Sequence, residues 1–193
     1  MRTPPCRFGR AIPTVRREIP RSDRRKEVAK VSPSLDFYLS HHGTSARIPP
    51  HLRGDAARIT ADAEAAFDLI EAIDHTGEPV DDIDKSWDGL RYLLAAAKVD
   101  VDLLRDLDPW AGDSEPRIWT ADEVSAAAHT LAAIPFTALA EHFAPDDMDD
   151  NDVYPDIWDT DFGHEYLREH YEGLVEFLTF ASAKNSPVVS RFE

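Results

Sequence analysis

The stretch Ile83-Asp84-Lys85-Ser86-Trp87-Asp88-Gly89-Leu90-Arg91-Tyr92-Leu93-Leu94 decides how the rest of the chain is read. Trp87, Leu90, Leu94 and Ala97 recur at intervals of three, four and three, which places them on one face of an α-helix. A helix with tryptophan at the head of its apolar stripe needs a core to receive it. Gly89 lies inside this helix, where glycine costs about 1 kcal/mol relative to alanine. A close backbone approach beside the indole would account for its presence.

Working upstream, Thr60 is placed to cap a helix whose apolar face is Ala63, Phe67, Ile70 and Ile73, with Gly77 and Pro79 closing it. Residues 41–59, with His41-His42-Gly43 and Pro49-Pro50, read as loop. Before them, Ser32-Pro33 opens a short helix to Ser40, and Val28-Ala29-Lys30-Val31 alternates as a short strand. Downstream, Val99 to Leu107 holds a turn or two before Pro109, and Arg117-Ile118-Trp119 is a candidate strand. Thr120-Ala121-Asp122-Glu123 is a capping box, in which hydroxyl and carboxylate satisfy each other's backbone N–H groups. The helix it opens carries Val124, Ala127, Ala128, Leu131 and Ile134 until Pro135, and Phe136, Leu139 and Phe143 mark a shorter one. A longer helix from about Phe162 to Lys184 precedes a terminal strand with Val188, Val189 and Phe192. The pattern predicts a helix-rich α+β fold with α/β-type layering, a single domain whose few strands pair with one another.

Three segments carry a resemblance. Asp84-Lys85-Ser86-Trp87-x-Gly89-Leu90-x-Tyr92-Leu93-Leu94, then Trp119-Thr120-Ala121-Asp122-Glu123-Val124, then Tyr154-Pro155-Asp156-Ile157-Trp158 resemble, in order, motifs of the YfbM-like family, the domain of unknown function 1877. The resemblance spans about residues 28–192. It implies helices packed on a small mixed sheet and carries no established reaction with it. In that family the tryptophan helix often has histidine where this chain has Asp88 and Arg91, so chemistry that needs those imidazoles would be absent.

Charge divides the chain. It has 193 residues with 21 Lys+Arg against 37 Asp+Glu, a formal net charge of -16. Residues 1–30 alone carry ten Lys/Arg against three acidic residues, so the remainder stands at -23. Residues 1–27, rich in arginine and proline with little apolar periodicity, read as a loose basic arm ahead of a domain at 28–193. The arm has three readings: a solvated tail or a start assigned too far upstream, a segment for nucleic acid or an acidic partner, and a targeting signal. No apolar segment follows its arginine pairs as a secretory signal requires, which points to the cytoplasm. Nor does any apolar run approach the roughly 20 residues a bilayer needs. The acidic body is expected to repel nucleic acid and to attract basic protein surfaces.

Asp147, Asp149 and Asn151 match the first three ligand positions of an EF-hand, but Asp152 stands where glycine is needed and Trp158 where a bidentate glutamate is needed. None of the eight histidines forms His-Glu-x-x-His, and His164 and His170, six apart, do not share a helical face. A Gly-x-Ser-x-Gly elbow and phosphate-binding glycine loops are both missing from the sequence. Cys6 sits alone in the arm. No metal or cofactor is expected on this basis.

What stands out is acid. Asp146, Asp147, Asp149, Asp150 and Asp152 fall within seven residues, read here as a solvated loop, with Tyr154, Asp156 and Trp158 just beyond. Tyr154 and Trp158 are read first as core aromatics and alternatively as the walls of a groove for a cationic or peptide ligand, with Arg91 as a further candidate contact. The expected function is a non-enzymatic acidic module that binds a basic protein, as an immunity protein binds a toxin. The alternative is a small-molecule-binding protein or hydrolase with a site of scattered Asp, His, Arg and Trp residues. A cleft with convergent carboxylates and a shifted pKa would favour the alternative.

Overall fold

Val188–Phe192 alternates apolar side chains between two environments, and that alternation organises the fold. The computed structural model describes residues 42–52, 63–74, 79–104 and 117–192. In chain order these residues form β1 (Gly43–Arg47), a 3-10 turn (Pro50–Leu52), α1 (Ala63–Asp74), β2 (Val80–Asp84), α2 (Trp87–Ala96), β3 (Arg117–Trp119), α3 (Ala121–Ala132), α4 (Phe136–Ala140), α5 (Pro145–Asp150), α6 (Gly163–Ala183) and β4 (Val188–Phe192). The basic arm, the strand at 28–31, the helix after Ser32, the Thr60 cap, Trp110 and residues 105–109 lie outside the described residues, and residues 99–104, where a further turn or two was expected, form no helix.

The sheet order is β2-β1-β4-β3, and each pairing is antiparallel, where the resemblance implied a mixed sheet. β4, last in sequence, is a central strand. Val188 and Phe192 enter the main core, whereas Val189 joins Ala46, Ile48, Leu69 and Ile73 in a smaller cluster. Ile118 and Trp119 on β3 divide the same way. Both faces are therefore covered, α1 contacting β1 and β4 while α6 contacts β2. This is the layering expected of an α+β domain.

The main core confirms the reading of the helices. Trp87, Leu90, Leu93 and Leu94 of α2 are buried together with Val124, Ala127, Ala128 and Leu131 of α3. Leu167, Tyr171, Leu174, Phe177, Leu178 and Ala181 form the buried stripe of α6. Thr120 and Glu123 make the expected capping box at α3, with Glu123 N–H donating to Thr120 Oγ1 (3.2 Å) and Thr120 N–H donating to Glu123 Oε2 (2.8 Å).

Three expectations are corrected. The 41–59 loop contains β1, an inner strand. Ile83 and Asp84 belong to β2, so the tryptophan helix begins only at Trp87, with Ser86 before it. The neighbour that explains Gly89 is Trp158 and not Trp87: a Cβ on Gly89 would lie 2.6 Å from Trp158 Cη2 and 2.8 Å from Leu167 Cδ2.

Candidate functional site

The aspartate-rich segment is a helix and an ordered turn, not a loop. Pro145 stands in the first turn of α5, where its fixed φ suits helix initiation, and Asp146 and Asp147 follow beside the positive end of the short dipole. Met148 is fully buried, and Val153 and Trp158 are buried further along. All eight aspartates from Asp146 to Asp161 are exposed: Asp146, Asp147, Asp149, Asp150, Asp152, Asp156, Asp159 and Asp161. Three apolar anchors thus hold one face while the carboxylates face water. No Lys or Arg occurs from Ala144 to Gly163.

Local bonds fix this surface. Tyr92 of α2 donates its hydroxyl to Asp147 Oδ2 at 2.5 Å, and Asn151 Nδ2 donates to the Asp147 carbonyl at 2.7 Å. The phenol of Tyr92 is pushed up to about 12, chiefly by that hydrogen bond to a carboxylate. Burial, together with the charges of Asp149, Asp159 and Asp152 and a side-chain hydrogen bond to Asp149, raises Asp156 above the usual carboxylate range.

The remaining residues singled out from sequence divide between core and rim. Trp158 is core, with its Nε1–H donating to the Val153 carbonyl at 2.8 Å, so it lines no groove. Tyr154 is half-buried and stacks on Trp87, with ring centroids 5.8 Å apart; its peptide bond to Pro155 is cis. Asp88, buried in α2, accepts from the Tyr154 backbone N–H (3.0 Å) and from Arg91 Nε (2.8 Å). Arg91 is therefore engaged by its own helix, although its side chain remains 56% exposed.

A second polar cluster escaped the sequence reading. At the end of β2, Asp84 Oδ2 accepts from Tyr166 on α6 (2.7 Å), whose hydroxyl oxygen in turn accepts the Lys85 backbone N–H (3.1 Å). His42 Nδ1 lies 2.9 Å from Asp84 Oδ1. One turn along α6, the His170 ring nitrogen Nδ1 meets the Asp82 carbonyl at 3.2 Å. Asp81 lies under α6 opposite Gly173, and burial together with the charge of Asp82 pushes its carboxyl up to about 7. His42, Asp84 and Tyr166 are far apart in sequence and carry no local motif, so only the fold joins them.

Among the described residues neither cluster makes a metal centre. Among the described residues no group of three His, Cys, Asp or Glu side chains is arranged to hold a metal ion. His164 sits between the rings of Phe136 and Phe143, an aromatic contact and not a ligand set. A cavity of about 20 Å³ between the sheet and α6 has room for a water molecule. Its lining includes Ile83, Trp119, Leu174, Leu178 and Phe192 and contains no carboxylate.

With this fold and surface in view, the chain belongs to the DUF1877 family, a domain of unknown function, whose model matches residues 52–190. Its fold is similar to that of YfbM from Escherichia coli, a protein of unknown function, with a TM-score of 0.58 and 16% sequence identity over 79% of this chain and 99% of that one. Comparison with the curated proteins found no match. No described helix is long and apolar enough to cross a membrane.

Proposed function

We propose that the protein is a non-enzymatic interaction module that docks a basic protein partner on the surface built by α5 and the turn after it. The observation that carries this reading is the set of eight exposed aspartates between Asp146 and Asp161, held on a fixed backbone by Met148, Val153 and Trp158. Fixed like charges oppose folding through self-repulsion, yet they raise the encounter rate with an oppositely charged surface. Asp152 and Asp156, both at positive φ, hold the turn in a conformation uncommon for residues other than glycine. The carboxylates are thereby presented in place, without a loop to be ordered on binding. The immunity-like case, in which such a surface neutralises a basic toxin, is one example of this class.

The test is kinetic. A basic protein that co-purifies with the full chain is identified by mass spectrometry, and its association rate is followed against salt for wild type and for a variant with Asp146, Asp147, Asp149, Asp150 and Asp152 changed to Asn. The wild-type rate should fall steeply with salt and the variant should associate more slowly at low salt. Equal rates for the two proteins at low ionic strength would overturn the reading.

A further inference from the structure

Trp119, at the end of β3, carries a donor that the rest of the core does not take up. Its side chain is only 7% exposed and belongs to the main core. Among the described residues its Nε1–H meets no acceptor, whereas the same group of Trp158 donates to the Val153 carbonyl. The Arg117 guanidinium lies over the Trp119 ring, 4.1 Å from its centroid. It satisfies the face of the indole and not the N–H, because a guanidinium has donors only and the indole N–H points outward in the ring plane. A buried N–H in this position is costly, and it marks a place where an acceptor belongs.

The cavity between the sheet and α6 borders this residue. Trp119, Ser45 and Ser190 line it, together with apolar side chains such as Ile83, Leu174 and Phe192. Ser45 and Ser190 stand opposite each other on β1 and β4, with their hydroxyl oxygens 2.8 Å apart. One hydrogen bond between two hydroxyls uses one of their two O–H groups, so the pair keeps a donor and spare lone pairs. Ser190 is paired with Arg117, two residues before Trp119, which makes Ser190 and Trp119 diagonal neighbours on adjacent strands. Such neighbours stand about 7–8 Å apart, too far for a direct hydrogen bond and close to the span of one bridging molecule.

The size and chemistry of the cavity define its occupant. A volume of about 20 Å³ holds one water and leaves no room for a larger molecule. A cation would meet donors here and no carboxylate. A chloride ion is close to water in size, but it only accepts, whereas water also donates to a serine oxygen. We propose that the cavity binds one ordered water molecule, which accepts from Trp119 Nε1–H and bonds to the Ser45–Ser190 hydroxyl pair. Three partners lie within the two to four that buried waters have. The water ties β3, an edge strand, to the two inner strands beneath α6. This site does not depend on the docking surface.

The experiment has two arms, both on the full chain. With ¹⁵N-labelled tryptophan, water-selective NOE and ROE spectra should show a cross-peak between water and the Trp119 indole proton, of opposite sign in the two spectra, as a long-held water gives. The Trp158 indole proton, bonded to Val153, is the internal control and should show none. Ser190→Ala removes one partner and should abolish the Trp119 cross-peak. A high-resolution crystal structure, grown from a bromide salt, then locates the bound species. Density without an anomalous bromide signal is expected within about 3.2 Å of Trp119 Nε1 and of a serine hydroxyl oxygen. Bromide at that position, an indole N–H bonded to a protein acceptor, no water cross-peak at Trp119, or a cross-peak undiminished in Ser190→Ala would each overturn the proposal. The wild-type measurements decide it even where Ser190→Ala fails to fold.

Discussion

Gly89 and Trp158 occupy the same space: the hydrogen on Gly89 Cα leaves room for the indole six-membered ring, and a methyl group in its place would sit 2.6 Å from Cη2. This contact joins α2 to the turn behind the acidic helix, so the helix that opens the family pattern also seats the last of its motifs. Gly89→Ala raises helix propensity by about 1 kcal/mol, yet it forces apart two groups that are both buried. Overpacking of this kind costs about 1–3 kcal/mol, and the substitution should lower the melting temperature. A variant more stable than wild type would show that the indole has freedom to move.

Trp87 is fully buried between Tyr154, stacked on one side, and Phe192 of β4, edge-on at 5.6 Å. Trp87→Ala should lose about 3–5 kcal/mol, measured by urea denaturation. Because Trp87 supports Tyr154, the same variant should expose the Tyr154 ring to solvent. Wild-type stability would show that Trp87 contributes nothing to the core.

Much of this core was legible in the sequence, and the misses have physical reasons. The stripes of α2, α3 and α6 declare themselves because each helix buries one face. So does the Thr120–Glu123 box, because both partners are local. β2 was missed because Val80-Asp81-Asp82-Ile83-Asp84 carries three aspartates, residues depleted in strands, and β1 because Gly43 to Arg47 is flanked by residues that read as turn. Asp-rich α5 read as loop although Pro145 and two acidic residues mark a helix start. His42, Asp84 and Tyr166 meet only because β1, β2 and α6 are packed together. No spacing rule reaches across such separations.

Asp81 gives a pH prediction. Its folded pKa of about 7 stands above the ordinary value of 3.8, because burial and Asp82 disfavour the charge. The folded protein therefore binds more protons than the unfolded chain between those two values. This contribution to stability falls as pH rises through that window and is level above it. Asp81→Asn removes the penalty, so it should stabilise the protein above neutrality by roughly 2–4 kcal/mol and by little near pH 4. Urea titrations of both proteins across this range measure the difference, and a gain independent of pH would exclude ionisation of Asp81 as its cause.

The acidic surface makes a prediction about stability that is separate from binding. Asp146, Asp147, Asp149, Asp150 and Asp152 are all exposed, and the attachment of their segment to the body runs through Met148, Val153 and Trp158. Changing all five aspartates to Asn leaves those anchors untouched, and an asparagine at position 147 can still accept the Tyr92 hydroxyl. What changes is repulsion, which acts over about 10 Å at 0.1 M salt and about 3 Å at 1 M. The variant should therefore be at least as stable as wild type at low ionic strength, with the margin shrinking as salt is added. Urea serves as the denaturant, since guanidinium chloride would itself screen the charges. As a contrast, Met148→Ala removes an anchor and should lose about 2–5 kcal/mol at any salt concentration. A five-asparagine variant less stable than wild type at low salt would mean that these carboxylates hold the segment together, through hydrogen bonds or a bound cation, and the anchors would no longer account for its order.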